Sequence, residues 1–385
     1  MKLNRFAPIA LLVLAAPVIA DDATNLVIRL GQDTTSVEHY TRTPARVVVD
    51  QVGRAPRLLQ RHFVYDYANG ALTKLTMVVT PPGSTTPTQS IEVVNGPDSL
   101  RVKTTSGSNP TSTRAFSLPA GTLIVAGSSP WAGYEGLLMQ FVKSKADSLR
   151  TSLYFVGADN PYWLSLHKLG RDSVSIFNER QDQYHVRVDK NGRIVGVLPV
   201  AGTAKVSVER VSQLDLPALT ASFAAREKSG GGMGVLSPRD SVVTSSAGGA
   251  ALWIDYGRPS KRGRTVFGGS LVPYGDVWRT GANAATQFRT DKALDFGGTV
   301  VPAGFYTLWT IPSPTGWKLI VNGETGQWGT EHKAAKDLYT IDMKTSTLPQ
   351  PVERFTISVD GNPQGGVLNM DWDTTRASAA FTIKP

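Results

Sequence analysis

Short runs of alternating apolar and polar residues, separated by turn-forming residues, recur along most of this chain of 385 residues. The clearest pair is YHVRVDKNGRIVGVLPV, residues 184–200, in which two alternating runs flank Asn191-Gly192. Alternation turns one face of each strand towards a core, and an Asn-Gly pair tolerates the positive φ angles of a type I′ hairpin turn. The pattern therefore predicts an all-β protein built largely from antiparallel hairpins.

Residues 21–228 are predicted to form an N-terminal antiparallel β domain, a large meander with one packed helix. The helix is expected near residues 130–143, with Ser129 as a possible N-cap and Pro130 in its first position. Its apolar residues fall at helical spacing: Trp131, Tyr134, Leu138, Phe141 and Val142. Such a stripe favours a helix that packs on the sheet as part of the core. The alternative is a helix that plugs a curved sheet and lines a pocket for an apolar ligand.

A change in composition predicts where this first domain ends. A short helix over about 217–227 leads into the segment 229–234, whose glycines are typical of a flexible linker. Short strands and glycine-rich turns resume over residues 235–385, and they predict a C-terminal antiparallel β-sandwich or barrel domain. Strand alternation favours core positions for Trp309 and Trp317 over positions on a ligand surface.

The first 20 residues, MKLNRFAPIALLVLAAPVIA, combine a basic start, an apolar run and small residues before Asp21. This order is typical of a secretory signal peptide, so we expect a periplasmic or secreted protein. The chain has no cysteine, which removes disulfide bonds and the usual acceptor of a lipid anchor. No later segment is long and apolar enough for an integral membrane span.

The formal net charge of +9 is spread along the chain, whereas nucleic-acid-binding proteins concentrate lysine and arginine on one face. We therefore expect no nucleic-acid partner. The densest basic run is RPSKRGR, residues 258–264. Arg258 and Arg264 are candidates for binding a phosphate or an anionic glycan. The alternative is a solvated connection between strands.

The segment SLVPYGDVWRTGANAAT, residues 270–286, brings an aromatic ring, a cation and an amide together. Arg279 and Asn283, beside Trp278 or Trp328, form a candidate recognition pair for a sugar or a small anion. The alternation leaves open which face of DVWRT points inward. The same phrase is also typical of a structural corner in which Gly281 or Asn283 adopts left-handed backbone angles.

Signatures of catalysis are scarce. There is no nucleophile elbow, no Walker-type loop and no pair of histidines with metal-ligand spacing, so we expect no cofactor and no metal. Carboxylates on strands, such as Asp255 and Asp276, keep a carboxylate-dependent hydrolase open as an alternative function. The sequence favours binding over enzymatic activity.

Residues 236–385 resemble the bacterial family known as domain of unknown function 2911. The resemblance rests on several phrases in order: SPRDSV (237–242), DYGRPSKRGRTVFG (255–268), LVPYGDVWRTGANAAT (271–286), VPAGFYTLWTIP (301–312), VNGETGQWG (321–329) and PVERFTISV (351–359). The family pattern has a glutamate where this chain has Ala284, which counts against a glutamate-dependent catalytic role for the loop. The resemblance implies no activity, substrate or site residue, and the N-terminal domain resembles no family.

The sequence thus predicts an exported two-domain β protein that binds a glycan, a small anion or a partner protein of the cell envelope. An apolar-ligand carrier and a hydrolase are the alternatives.

Overall fold

The computed structural model describes residues 23–384 except 98, 128–129, 231–232 and 235. The expected signal peptide and the possible N-cap Ser129 lie outside the described residues. Within them the chain forms two large sheets, in which antiparallel pairing predominates, and two α-helices. The predicted fold class is confirmed. The domain boundary at 229–234 stays a prediction.

The first sheet has fifteen strands within the described residues. They are β1 (Thr24–Leu30), β2 (Asp33–Arg42), β3 (Arg46–Gly53), β4 (Leu59–Ala68), β5 (Ala71–Thr80), β6 (Gln89–Asn95), β7 (Leu100–Ser106), β8 (Ser112–Phe116), β9 (Leu123–Val125), β10 (Ser148–Phe155), β11 (Tyr162–Lys168), β12 (Ser173–Asn178), β13 (Gln183–Val188), β14 (Ile194–Ala201) and β15 (Ser207–Val211). Most neighbours in space are also neighbours in sequence, and the pairing of β1 with β15 joins the two halves. The sheet curves until its two ends approach each other. Phe116 of β8 and Tyr154 of β10, which belong to opposite ends of the strand order, have their ring centres 5.1 Å apart.

Helix α1 (Trp131–Lys143) packs against one face of this sheet. Trp131, Leu138 and Phe141 are buried in the core of the first sheet, and Tyr134 and Val142 pack at its margin. The predicted apolar stripe is therefore a core feature. Pro130 precedes the helix by one residue instead of occupying its first position.

The predicted type I′ turn at Asn191-Gly192 is wrong. Only Gly192 has a positive φ, 82°, and the strand register shifts between Arg187 and Val188. Gly192 N donates to Asp189 O over 2.9 Å, as in a type I turn followed by a glycine bulge. The side chain of Asp189 fixes this turn because it accepts from the backbone N–H groups of Asn191 and Arg193. A Cβ at Gly192 would lie 2.7 Å from Met139 Cα, so glycine is required where the hairpin meets α1.

Helix α2 (Leu216–Lys228) lies on a different part of the first sheet and closely matches the predicted helix over 217–227. Asp215 caps its N-terminus, since its carboxylate accepts from Ala218 N over 2.9 Å. Phe223 packs against Val27 and Val37 in a small apolar cluster. In the described part of the chain, neither helix combines the length and the apolar character that a membrane crossing needs.

The second sheet has nine strands within the described residues. They are β16 (Arg239–Ala247), β17 (Ala250–Gly257), β18 (Thr286–Thr290), β19 (Leu294–Asp295), β20 (Val300–Val301), β21 (Gly304–Ile311), β22 (Trp317–Asn322), β23 (Asp337–Asn362) and β24 (Gly365–Ile383). In space they follow the order β16-β17-β18-β21-β22-β23-β24-β19-β20. A 3₁₀ turn, Ala334–Lys336, precedes β23.

Strand β23 merges two predicted strands, DLYTIDM and ERFTISV. Its pairing with β24 skips from Thr347 to Val352, where Pro349 and Pro351 have no backbone N–H to donate. Beyond this interruption the strand lies beside the start of the sheet, since Phe355 N donates to Pro259 O over 2.9 Å. The two long strands thereby enclose the second core.

The structure confirms the predicted burial of Trp309 and Trp317. Trp317 is 3 % exposed and belongs to the main apolar cluster of the second sheet, which also contains Phe355 and Trp372. Trp309 is 1 % exposed and forms a separate small cluster with Ala285 and Ile320. Strand β21 is therefore covered on both faces, which alternation alone did not indicate.

Candidate functional site

Trp278, the aromatic residue of the predicted recognition loop, is part of the second core. Its ring is stacked 5.9 Å from that of Trp372, and Nε1 donates to Gly281 O over 3.2 Å. Trp278 and Thr280 point inward, whereas Val277 is exposed, which answers the question that the alternation left open. DVWRT is not a regular strand, because Trp278 makes only an isolated bridge with Thr310. The tryptophan has a structural position.

Asn283 forms the corner that follows. Its φ of 65° and that of Thr280, 53°, are left-handed, and Gly281 has a φ of 154°. Asn283 is buried, and its Nδ2 donates to Ser237 O over 3.1 Å. Its amide nitrogen therefore holds the start of the second sheet in place, and the structural reading of this residue has direct support.

Most cations of the basic run 258–264 have carboxylate partners. Arg258 Nη1 donates to Asp240 over 2.9 Å, and its other nitrogens donate to Phe355 O and Thr356 Oγ1. Lys261 forms an ion pair with Asp373 of β24, and Arg262 forms one with Asp33 of β2 in the first sheet. Both ion pairs therefore connect the basic run to other strands.

Arg264 differs from its neighbours in the basic run. Its guanidinium donates only to backbone carbonyls, those of Lys261 over 2.9 Å and Ser260 over 2.6 Å. Burial, together with the nearby charge of Arg262, lowers the pKa of Arg264 to about 10, while Glu353 and Asp33 act in the opposite direction. Arg264 is thus a partly buried cation without a carboxylate in contact.

Arg279 is likewise a partly buried cation without a carboxylate in contact. Its Nη1 donates to Thr203 Oγ1 over 3.0 Å, a contact that joins the second sheet to the turn between β14 and β15. Its side chain also passes close to the backbone of Gly329, where an added Cβ would lie 2.3 Å from Arg279 Cδ. Burial lowers the pKa of Arg279 to about 10, while Asp182 acts in the opposite direction.

Lys205 approaches from the first sheet, and the sequence analysis missed it. Its Nζ donates to Ser270 O over 2.8 Å and to Val200 O over 3.3 Å. Burial, together with the charges of Arg279 and Arg264, lowers the pKa of Lys205 to about 8, while Asp182 acts in the opposite direction. No motif marks Lys205, because it lies 74 positions before Arg279 in the chain, in an ordinary strand connection.

We call Lys205, Arg264 and Arg279 the junction cluster. Within the described residues, none of the three forms an ion pair within 4.0 Å. The carboxylate whose charge favours both Lys205 and Arg279 is Asp182. Asp182 is already engaged, since it accepts from Thr203 N over 2.8 Å and from Ala204 N over 3.2 Å. The three cations of the cluster therefore have no carboxylate in direct contact among the described residues, although Glu353 and Asp33 act on Arg264 from a greater distance.

Trp328 is the one residue of the predicted set that stays exposed, at 37 %. It pairs in an isolated bridge with Ala284 and directly precedes Gly329, which contacts Arg279. The structure thus brings Arg279 and Trp328 to the same neighbourhood, while Trp278 and Asn283 belong to the interior and Arg258 holds β16.

A second group of charges lies inside the first sheet. We call Glu38, Tyr40, Arg42 and Glu135 the interior network. Glu135 is fully buried; it accepts from Tyr40 Oη over 2.7 Å, from Arg42 Nε over 3.2 Å and from the backbone N–H of Ile194 over 2.9 Å. Arg193 and Arg210 also lie within ion-pair distance of it, at 3.6 and 3.8 Å.

Glu38 occupies the N-terminus of helix α1. Its carboxylate accepts from the backbone N–H groups of Trp131 over 3.0 Å and Ala132 over 3.2 Å. Burial raises the pKa of Glu38 to about 7; those two N–H groups and Gln51 oppose the rise, and Glu135 adds to it. The interior network thus anchors the helix in the sheet with partners for its charges.

The carboxylates proposed for hydrolysis are not paired with each other. Asp255 accepts two hydrogen bonds from Arg239, at 3.1 and 2.5 Å, and Asp276 lies in an exposed turn. Within the described residues, no three His, Asp or Glu side chains gather as metal ligands would.

Residues 237–381 match the family "Protein of unknown function (DUF2911)", which confirms the resemblance of the C-terminal region. No curated protein matches the chain. Among solved structures, a match is "Crystal Structure of Beta-barrel-like Protein of Domain of Unknown Function DUF1849 from Brucella abortus". It has 11 % sequence identity and a TM-score of 0.33, and the match covers 49 % of this chain and 94 % of that chain.

Proposed function

We propose that the protein binds an oxyanion, such as a phosphate, sulfate or carboxylate group, at the junction cluster. The observation that supports this most is that Lys205 and Arg279 both form hydrogen bonds across the junction of the two sheets, close enough to Arg264 for its charge to act on Lys205, and have no carboxylate within ion-pair distance among the described residues. Partly buried charges are stable in proteins when they are paired, and an anion would supply the missing partner.

The donors of the cluster suit an oxyanion. A guanidinium carries five N–H donors in a fixed plane, and the described contacts of Arg279 use one nitrogen, Nη1. The ammonium of Lys205 donates to two carbonyl oxygens, which hold it at the junction without neutralising its charge. An arginine that forks two hydrogen bonds beside a lysine point charge is a common way to hold an oxyanion.

The anionic group has two possible sources, a free ion or an acidic glycan. Trp328 favours the glycan, because an exposed indole can stack on a sugar ring while the arginine binds its acidic group. The chemistry at the cluster is the same in both cases, so both belong to one proposal.

Calorimetric titration at low ionic strength tests the proposal with three probes: inorganic phosphate, trigalacturonate as an acidic oligosaccharide, and maltotriose as a neutral one. We expect saturable binding of phosphate or trigalacturonate and none of maltotriose. Arg279→Gln should lower the affinity for the anion by at least about tenfold, the range expected for the loss of a charged hydrogen bond.

Arg289→Gln is the matched control. It makes the same chemical change on an exposed position of β18 and should leave binding unchanged. Phosphate binding without trigalacturonate binding identifies a free ion, and the reverse identifies the glycan. Equal loss in both variants, or no binding of either anion, would overturn the proposal.

We further propose that the chain is exported, on the composition of residues 1–20. Expression in a bacterial host followed by N-terminal sequencing should give a mature protein that starts at Asp21 outside the cytoplasm. An unprocessed chain in the cytoplasm would contradict this.

A further inference from the structure

A cleft of about 360 Å³ lies beside helix α1 at one end of the first sheet. It is lined by the β4–β5 turn, the β6–β7 turn, the segment that precedes β9 and one face of α1. Its apolar walls are formed by Tyr67, Leu72, Leu100, Leu118, Leu123, Ile124 and Leu137, which belong to the core of the first sheet or pack at its margin.

Among the residues that the structure describes, no charged side chain lines this cleft. The longer polar side chains in the lining make hydrogen bonds to backbone carbonyls. Asn95 Nδ2 donates to Leu72 O over 2.9 Å, and Gln140 Nε2 donates to Gly70 O over 3.3 Å. Within the described residues, the cleft therefore combines apolar side chains with polar groups that already have hydrogen-bond partners.

Helix α1 turns two glycines, Gly133 and Gly136, towards the cleft. A glycine inside a helix destabilises it by about 1 kcal/mol relative to alanine, so each position needs a reason. Packing explains Gly133, because a Cβ there would lie 3.3 Å from Tyr65 Oη. It does not explain Gly136, whose added Cβ would have a single neighbour within 4 Å, Arg42 Nη1 at 3.5 Å. Gly136 instead leaves room for a side chain between the cleft and Arg42.

We propose that this cleft is a second binding site, which takes an uncharged apolar molecule of about the volume of two aromatic rings. A dry apolar cavity of roughly 150 Å³ accommodates benzene, so a cleft of this volume has room for a larger ligand. Concave sites of this size that combine apolar walls with polar groups are typical of small-molecule binding, and they often lie at the mouth of a β-barrel. The proposal does not depend on anion binding at the junction cluster, since the two sites share no residue.

Fluorescence titration with N-phenyl-1-naphthylamine, an uncharged probe that carries a naphthyl and a phenyl group, tests the cleft. The full-length protein should bind it saturably, with one site per chain. Gly136→Leu places a side chain in the open space and should weaken binding by at least tenfold. The substitution should preserve folding, because leucine is a better helix former than glycine.

Gly170→Leu is the matched control, since a Cβ at this exposed loop position would meet nothing within 4 Å. It should bind the probe like the wild type. If Gly136→Leu does not fold, Gly136→Ala should still lower the affinity for the probe severalfold. Unchanged binding in the folded Gly136 variant, an equal loss in the Gly170 variant, or no saturable binding by the wild type would overturn the proposal.

Discussion

The interior network and the junction cluster both place charges away from water, yet they differ in how those charges are balanced. Glu135 is surrounded by Arg42, Arg193 and Arg210 and by a tyrosine hydroxyl. Arg279 is held by the hydroxyl of Thr203 and makes no ion pair within the described residues. The comparison teaches that a balanced group of charges indicates architecture, whereas an unbalanced one points to a ligand.

The largest effect is expected from Glu135→Gln. The change leaves Arg42, Arg193 and Arg210 without their shared carboxylate, and breaking a buried ion pair on one side typically costs about 3 kcal/mol or more. Denaturant unfolding should show this loss in the free energy of unfolding. Glu92→Gln, which breaks an exposed pair with Lys74, should cost under about 1 kcal/mol. Similar losses of stability in the two variants would show that the buried charges around Glu135 contribute no more than an exposed ion pair.

The next effect is a pH dependence that originates in Glu38. Its pKa of about 7 in the folded chain exceeds the ordinary value of 4.5, so the folded state takes up a proton first as the pH falls. The contribution is fully present below about pH 4.5 and is lost as the pH rises through 7. Going from pH 8 to pH 5, this group should therefore stabilise the fold by on the order of 2 kcal/mol.

Unfolding measured across this pH range, in the wild type and in Glu38→Gln, checks the assignment. The glutamine keeps one of the two oxygens that accept from Trp131 N and Ala132 N, and it does not titrate, so the hydrogen bond that is lost costs the same at every pH. The difference in stability between the two proteins should therefore vary with pH. A constant difference would contradict the role of Glu38.

A smaller effect on the free energy of unfolding, with no loss of stability, is expected at the junction cluster. Without ligand, Arg279→Met should leave the free energy of unfolding unchanged or raise it by up to about 1 kcal/mol, because the partly buried cation makes no ion pair. The same variant should lose the stabilisation that a bound anion gives to the wild type. A loss of several kcal/mol without ligand would show that Arg279 is an architectural residue like Glu135.

The smallest effect concerns Asp182. Asp182→Asn keeps an oxygen for Thr203 N and Ala204 N but removes the negative charge that competes with an anion. Anion affinity should rise about two- to fivefold at low salt, as expected for a nearby but screened charge. Weaker anion binding in this variant would mean that the carboxylate takes part in the site.

The fold could largely be predicted from local pattern, because alternation, the helical stripe of α1 and the turn residues are all short-range signals. The errors arose where distant contacts override local preference. The hairpin at Gly192 adopts a glycine bulge because it meets α1 and is held by Asp189. The strand β23 continues past Pro349 and Pro351 because β24 and the start of the second sheet hold both halves.

The candidate site was predictable only in part, for the same reason. Arg264 and Arg279 were identified from their neighbours in sequence, but the same neighbours suggested Trp278 and Asn283, which belong to the interior. Lys205 became visible only when the fold brought the β14–β15 turn beside residue 270. Whether a cation is balanced depends on residues far away in the chain, and no local pattern reports it.

Anomalous diffraction from a crystal soaked in tungstate, a tetrahedral oxyanion like phosphate, tests the central claim most directly. The account predicts a strong peak within hydrogen-bonding distance of Arg279 and Lys205, absent from crystals of Arg279→Gln and retained in Arg289→Gln. Crystals whose strong peaks all lie elsewhere, with Arg279 and Lys205 contacting only protein atoms, would contradict it.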